Sequence, residues 1–469
     1  MGKLPLKNLD FYIKTWYNVG MKNLRRAEMV FKRKIYDRFL EWKENWAGKR
    51  ALLVQGARRI GKSTIVEEFA KNEYETYILI NFQSDLGKVE QLFKNDISDL
   101  DTFFRNLSLL YGKRLIERKS LIIFDEVQLF PLARQSIKQL VADGRYDYIE
   151  TGSLITLKQN VEKILIPSEE KSINMYPLDF EEFLWAKGDT VTADIIRDCF
   201  LNLKPLGQVA HRKVLKDFML YVAVGGMPQA VVELIESNDF SRIDEVKRDI
   251  LKLYHDDLKK LDTKYHFSTS LILDSIPSEL STQSKLFRSV TLGKNNRASK
   301  TYSSYEAIKD SMIVNIANNC TDPSVGLNRT KDYSKQKIYM GDTGLFVTAI
   351  FADSKLPIEQ SIYKQLIVDK LGVNIGMVME NAVAQALTSS GYELFSHRFD
   401  RYEVDFLLTS GKKLLPIEVK SSSYSTHKSL DNFQAKYSDR VKNSYVIYSK
   451  DIKREGNITY LPFYMTMFL

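Results

Sequence analysis

The stretch Gly56-Ala57-Arg58-Arg59-Ile60-Gly61-Lys62-Ser63-Thr64 constrains the fold of this chain more than any other. It reads G-x-x-x-x-G-K-S, with an apolar run, Ala51–Val54, before it and a helix-forming run, Thr64–Ala70, after it. Strand, glycine loop and helix in that order place successive N–H groups at a helix N-terminus, facing an anion. A parallel α/β sheet is the architecture that supplies such a unit. The expected ligand is a nucleoside triphosphate cradled by Gly56, Ala57, Arg58, Arg59, Ile60, Gly61 and Thr64. Lys62 would reach the β- and γ-phosphates, and the Ser63 hydroxyl would sit on Mg²⁺.

Ser120-Leu121-Ile122-Ile123-Phe124-Asp125-Glu126 supports the same site. A continuous apolar run is expected for a strand buried on both faces of a parallel sheet. Acids at its carboxyl end fall where open α/β sheets bind ligands. Asp125 suits the magnesium, through water, and Glu126 suits positioning or deprotonating an attacking water. A further β-prone run, Tyr146–Glu150, ends in Thr151-Gly152-Ser153. Thr151 or Ser153 would sense the γ-phosphate or the water; the same residues also close strands in ordinary turns.

At 469 residues the chain has room for about two to four domains. Two cysteines, Cys199 and Cys320, give no disulfide framework and fit a reducing, cytoplasmic setting. No apolar stretch approaches the roughly 20 residues of a membrane span, and the basic first thirty residues lack the apolar core of a secretory signal. A net charge of +9 is compatible with nucleic acid as a partner without requiring it. The local basic concentration, Met21–Lys34, reads as a solvated tail or helix face.

The expected organisation is an N-terminal extension over 1–30 and an α/β nucleotide domain over 31–185. A mostly helical region over 186–360 and a second α/β domain over 361–469 follow. In the third segment, Ser284–Val290 and Ser299–Val314 read as two helices joined by a polar turn, followed by a hairpin near Val314–Ile316 and Lys337–Met340. That is the outline of a winged helix. Lys300, Tyr302, Ser303 and Glu306 would face outward, towards DNA or towards nothing if the module only packs.

In the last segment Asp405 is followed thirteen residues later by Glu418-Val419-Lys420. Asp, a gap, then Glu-x-Lys is the pattern of restriction-endonuclease-like nucleases. Asp405 and Glu418 on adjacent strands would converge on Mg²⁺. Lys420 would share the face of Glu418 and activate water. Glu380 on the preceding helix is a further candidate ligand, and Gln434 and Tyr437 are candidate substrate contacts. The alternative is a cross-strand Glu–Lys pair on an ordinary sheet.

With these residues in view, the chain resembles a group of bacterial and archaeal ATPases. They join an AAA-type (STAND-like) nucleotide domain to a C-terminal nuclease-like domain. The resemblance covers roughly 32–469. Beyond the motifs above it rests on Tyr176–Phe183 (Tyr-Pro-Leu-Asp-Phe-Glu-Glu-Phe), Gly225-Gly226-Met227-Pro228 and Gly341-Asp342-Thr343-Gly344-Leu345. It implies ATP as the nucleotide, a prokaryotic cytoplasmic protein, and a P-loop parallel sheet followed by a helical and winged-helix region and a restriction-endonuclease-like α/β domain. The group carries a Gly-Arg pair shortly before the Pro-Leu phrase. Here the chain reads Pro167-Ser168-Glu169-Glu170-Lys171. If that arginine senses the γ-phosphate, Arg58, Arg59, Arg134 and Arg145 are substitutes among which the sequence does not choose, as is an arginine from a neighbouring subunit of a homo-oligomer. Two functions remain open: an ATPase acting on nucleic acid through its C-terminal domain, and a nucleotide-controlled switch or scaffold in which the nuclease-like fold is inactive.

Overall fold

The computed structural model describes residues 29–153, 167–265, 268–282, 285–287, 298–324, 326–351, 358, 360–367, 375–399, 401–420 and 427–469. Helix α1 (Ile35–Asn45) leads into β1 (Ala51–Gln55), which is followed by α2 (Lys62–Glu73), β2 (Thr76–Asn81), β3 (Ser120–Asp125), α3 (Pro131–Asp143), β4 (Asp147–Gly152) and β5 (Glu170–Asn174). The five strands are parallel, in the order β2-β3-β4-β1-β5. Alternation along each strand divides the apolar residues between the faces. Leu52, Val54, Leu121 and Ile123 enter one core; Ala51, Leu53, Ile122 and Phe124 enter another, rich in phenylalanine. Because β4 lies between β1 and β3, the ends of the phosphate loop, the acidic strand and Thr151 sit side by side.

The first core does not stop at this sheet. It runs through α4 (Phe180–Ala186), α5 (Gln208–Val224), α6 (Pro228–Ser237), α7 (Phe240–Tyr265) and α8 (Thr269–Ser281) into the second half of the molecule. That half holds β6 (Val314–Cys320), β7 (Lys331–Met340), α9 (Thr343–Ile350), α10 (Ile375–Ser389), β8 (Phe395–Phe399), β9 (Tyr402–Ser410), β10 (Lys413–Val419), α11 (Lys428–Lys436), β11 (Ser444–Tyr448), β12 (Lys453–Glu455) and β13 (Ile458–Pro462). Its eight strands follow the order β12-β13-β11-β10-β9-β8-β6-β7. The expected hairpin therefore forms, as β6 and β7, but it is not a free wing. β6 pairs with β8, so the hairpin belongs to the same sheet as the strands beyond 361.

The helix expected over 284–290 is not formed where it is described, at 285–287, and its turn, 293–297, lies outside the described residues. The side chains of Lys300 and Tyr302 also lie outside them; Ser303 is exposed and Glu306 half-buried. No single described helix is long and apolar enough to span a membrane. Part of the basic stretch before α1 is not solvated at all. Arg33 is buried, donating to the carbonyls of Ile60 at 3.0 Å and Tyr176 at 2.6 Å and pairing with Glu182 at 3.1 Å.

The phrases Pro177-Leu178, Gly225–Pro228 and Gly341–Leu345 meet behind the phosphate loop. Leu178 N–H donates to the Gly226 carbonyl at 2.8 Å, and Gly226 N–H donates to Asp342 at 2.6 Å. Tyr221 donates to the Leu178 carbonyl, and Gln385 of α10 joins Tyr221 to Thr343. The buried Lys247 ammonium holds the Ala223 and Gly344 carbonyls. A Cβ on Gly226 would lie 2.0 Å from the Leu178 carbonyl oxygen, which is backbone and cannot move aside. Gly226→Ala is therefore expected to destabilise the protein by about 3 kcal/mol or more, read as a lowered denaturation midpoint. An unchanged midpoint would mean that this node yields.

Candidate functional site

The chain leaves β1 at Gln55 and crosses the sheet end through Gly56–Gly61. Gly61 has φ of 92°, a left-handed conformation open to glycine, and starts α2 at Lys62. The N-terminus of α2 is thereby aimed at the carboxyl ends of β3 and β4. Lys62 is buried, and its ammonium rests on the Gly56 and Ala57 carbonyls at 3.0 and 2.8 Å. Burial lowers its pKa to about 8 against the opposing pull of Glu126 and Asp125. Among the described residues this desolvated cation has no carboxylate within ion-pair distance, which suits an anion.

Ser63 Oγ donates to Asp125 Oδ1 at 2.6 Å, the Thr151 hydroxyl donates to the same oxygen, and Asn81 Nδ2 donates to Oδ2 at 2.7 Å. Glu126, the next residue, sits at φ 57° and ψ 43°; Gln128 Nε2 donates to its carboxylate. Its N–H donates to Thr151 Oγ1 at 3.3 Å. Ser153 lines a cavity of about 440 Å³ shared with Arg58, Glu126, Gln128, Tyr254 and Asp257. Ser63 and Asp125 bring a hydroxyl and a carboxylate together, the oxygen donors that Mg²⁺ takes, so the donor set fits that ion. Arg59 and Thr64 are exposed at the rim, and Ala57 and Ile60 are buried. Asn81 and Gln128 were not singled out in the sequence, although both end or follow a strand at the ligand edge of the sheet. Arg33 and Tyr254, which grip the loop carbonyls of Ile60 and Arg58, come from 27 and 196 residues away.

The C-terminal residues also converge. Asp405 on β9 and Glu418 on β10 lie one step beyond the Phe406–Ile417 pair, and Glu380 reaches them from α10. The centre of the cluster is filled by Lys337 of β7. Its ammonium, fully buried, lies 3.0 Å from Glu380, 2.5 Å from Glu403 and 3.4 Å from Asp405. Lys285 and the Tyr339 hydroxyl take the rest of Glu380, Arg398 takes Glu403 at 2.5 Å, and Lys420 takes Glu418 at 2.6 Å. Asp405 also accepts Val419 N–H at 2.9 Å. Burial alone would raise the Glu380 carboxyl, but Lys337 and Lys285 hold it down to about 2. Burial, and then Asp405, push Glu418 up to about 8.

Four carboxylates, Glu380, Glu403, Asp405 and Glu418, thus face four cations, Lys285, Lys337, Arg398 and Lys420. A divalent ion would have to expel the Lys337 ammonium that already sits among Glu380, Glu403 and Asp405, so these residues, as arranged, do not fit a metal. Among the described residues no group of three or more His, Cys, Asp or Glu side chains is arranged to hold one. Gln434 donates to Ser444, and Tyr437 bonds His397, so neither is a free substrate contact.

Residues 48–184 match a family model described as an AAA domain. This part of the chain is an AAA-type P-loop domain. Beyond it, residues 215–356 match a domain of unknown function (DUF8612) and residues 375–465 another (DUF4143). An uncharacterised protein of Haemophilus influenzae is 22% identical over 376 residues, covering 78% of this chain and 81% of its own length. Solved structures with weaker overall likeness include PCH-2 of C. elegans, at 11% identity and a TM-score of 0.27, covering 44% of this chain. The chain spans 62% of the length of that PCH-2 chain. AMPPCP-bound DnaA of Aquifex aeolicus is 12% identical, with a TM-score of 0.22, covering 61% of this chain and 81% of its own.

Proposed function

We propose that this protein binds Mg·ATP on the loop of its AAA domain, hydrolyses it, and passes the nucleotide state to its C-terminal half. The observation that carries the reading is the convergence of Ser63, Asp125, Glu126 and Thr151 beside the buried Lys62 ammonium, which rests on two loop carbonyls. Mg²⁺, when bound, neutralises charge on the β- and γ-oxygens. On this reading Lys62 exchanges the Gly56 and Ala57 carbonyls for phosphate oxygens. Ser63 and Asp125 would hold the ion, and Thr151, which donates to Asp125, fixes that carboxylate. Glu126, steadied by Gln128, orients the water and accepts its proton as the new bond to the γ-phosphorus forms and the β–γ bridging bond breaks. ADP and phosphate are the products.

The route to the C-terminal half is continuous. Pro228 packs against Gly61, 3.7 Å from where a side chain there would begin. The Gly225–Pro228 turn is bonded to Asp342, and Asn381 and Gln385 of α10 hold Met340 and Thr343. The same helix carries Glu380. Lys337 favours the switch or scaffold over the nuclease, because its ammonium occupies the place between Glu380, Glu403 and Asp405.

The test is Glu126→Gln. Turnover of ATP is expected to fall on the order of 10²-fold while ATP affinity is kept, because a proton acceptor is lost and a hydrogen-bonding group of the same shape remains. Single-turnover hydrolysis and equilibrium binding, measured together, separate the two effects. Normal turnover in this variant would remove Glu126 from the chemistry.

A further inference from the structure

The four arginines that could replace the missing Gly-Arg arginine are not equivalent in space. Arg134 forms a two-pronged pair with Glu170, at 2.8 and 3.0 Å. Glu170 stands opposite Ala51, the first residue of β1, at the sheet end away from the phosphate loop. Arg145 precedes β4 at the same far end and is occupied by Asp143 and Asp101. Arg59 is exposed at the rim of the loop. Arg58 alone of the four lines the cavity that also contains Glu126 and Ser153. It rises from the phosphate loop itself, close enough to Glu126 and Lys62 for their charges to be felt.

Arg58 is also held by something that nucleotide would compete with. Its Nη1 lies 2.7 Å from Asp257 on α7, and its carbonyl accepts the Tyr254 hydroxyl, one turn earlier on α7, at 2.7 Å. Helix α7 roofs the cavity with Tyr254, Asp257, Leu258 and Leu261, and adds Lys260 and Lys264 at its edge. The site's distal end is therefore lined by the chain's own helix. We infer that Arg58 is the γ-phosphate contact of this ATPase, supplied in cis, and that Asp257 holds it aside until a triphosphate arrives.

This deepens the phosphate-site reading and rests on it. A γ-phosphate beside Glu126 and Ser153 brings more negative charge than the single Asp257 carboxylate. The guanidinium moves to it, in the fork geometry that suits phosphate oxygens. Asp257 is then released, which removes the charged half of the link between the loop and α7 and leaves the Tyr254 hydroxyl on the Arg58 carbonyl. The helix carries Lys247, whose ammonium holds the Ala223 and Gly344 carbonyls at the node described above. ATP and ADP thus differ in whether Arg58 is pulled off α7, which gives the switch a physical trigger. Hydrolysis returns Arg58 to Asp257.

The experiment is calorimetric titration of the full chain with Mg·AMPPNP and with Mg·ADP, for the wild type, Arg58→Ala, Arg58→Gln and Asp257→Asn, with thermal melting as a check on folding. In the wild type AMPPNP is expected to bind more tightly than ADP. Arg58→Ala and Arg58→Gln are expected to lose about tenfold or more of that preference, with ADP affinity unchanged within about twofold and turnover reduced. Asp257→Asn is expected to strengthen AMPPNP binding selectively, since the competing carboxylate is gone. A wild type that binds both nucleotides while both Arg58 variants keep its preference overturns this inference and leaves the phosphate site standing. A wild type that binds neither nucleotide overturns the phosphate site and the inference together.

Discussion

Replacing Lys62 by Ala is expected to lower kcat/KM for ATP by on the order of 10²–10³-fold. The ammonium is buried and its only hydrogen-bond partners in the described structure are two loop carbonyls, which satisfy it geometrically without neutralising it. A triphosphate supplies the missing charge, so much of the interaction is made only when ATP is bound. The folding cost of the substitution is small by comparison. Two hydrogen bonds are lost, but a desolvated charge is lost with them, and stability is expected to stay within about 1 kcal/mol of the wild type. Turnover and melting temperature measured on the same sample distinguish this from simple unfolding. A normal steady-state rate in Lys62→Ala would contradict the assignment of the loop.

Lys337→Ala is expected to act the other way, on stability rather than turnover. Removing the ammonium takes a cation from the buried Glu380 and from the half-buried Glu403 and Asp405, and breaking a buried ion pair in this way costs about 3–5 kcal/mol. Burial alone would strip the proton from Lys337, but Glu380 first, then Tyr339, Glu403 and Asp405, keep it charged well above the ordinary lysine range. The wild type is expected to melt at the same temperature with EDTA as with millimolar Mg²⁺ or Mn²⁺. The variant is expected to melt lower and to be partly rescued by Mn²⁺, which would take the vacated place. A wild type stabilised by Mn²⁺, with the effect abolished by Asp405→Asn, would show that the cluster is a metal site after all.

The nucleotide site was legible because its chemistry is local in sequence. Gly56–Thr64, Asp125-Glu126 and Thr151 each lie at or just after the carboxyl end of a strand, and strand ends in a parallel sheet converge whatever the loops do. The cluster of Glu380, Asp405, Glu418 and Lys420 was legible for a similar reason, since two of its members lie on paired strands. Its meaning was not. Lys337 stands in Lys-Asp-Tyr-Ser-Lys-Gln-Lys-Ile-Tyr-Met, a strand whose polar residues read as solvent-facing. It is buried because α10 packs across β7, and no local pattern records that contact. The winged-helix outline is not confirmed: its hairpin is visible in sequence, but the partner strand that joins it to the C-terminal sheet, β8, lies more than fifty residues downstream. The choice among arginines likewise needed the return of α7 over the phosphate loop, about 200 residues later in the chain.

One measurement bears on all of this. Mg·ATP is titrated calorimetrically into the full-length wild type and, in parallel, into Lys62→Ala. The expected result is a single saturable heat of binding, one nucleotide per chain, in the wild type and its loss or severe weakening in the variant. A wild type that gives no heat, or a variant that binds as well as the wild type, would contradict a triphosphate site at Gly56–Thr64.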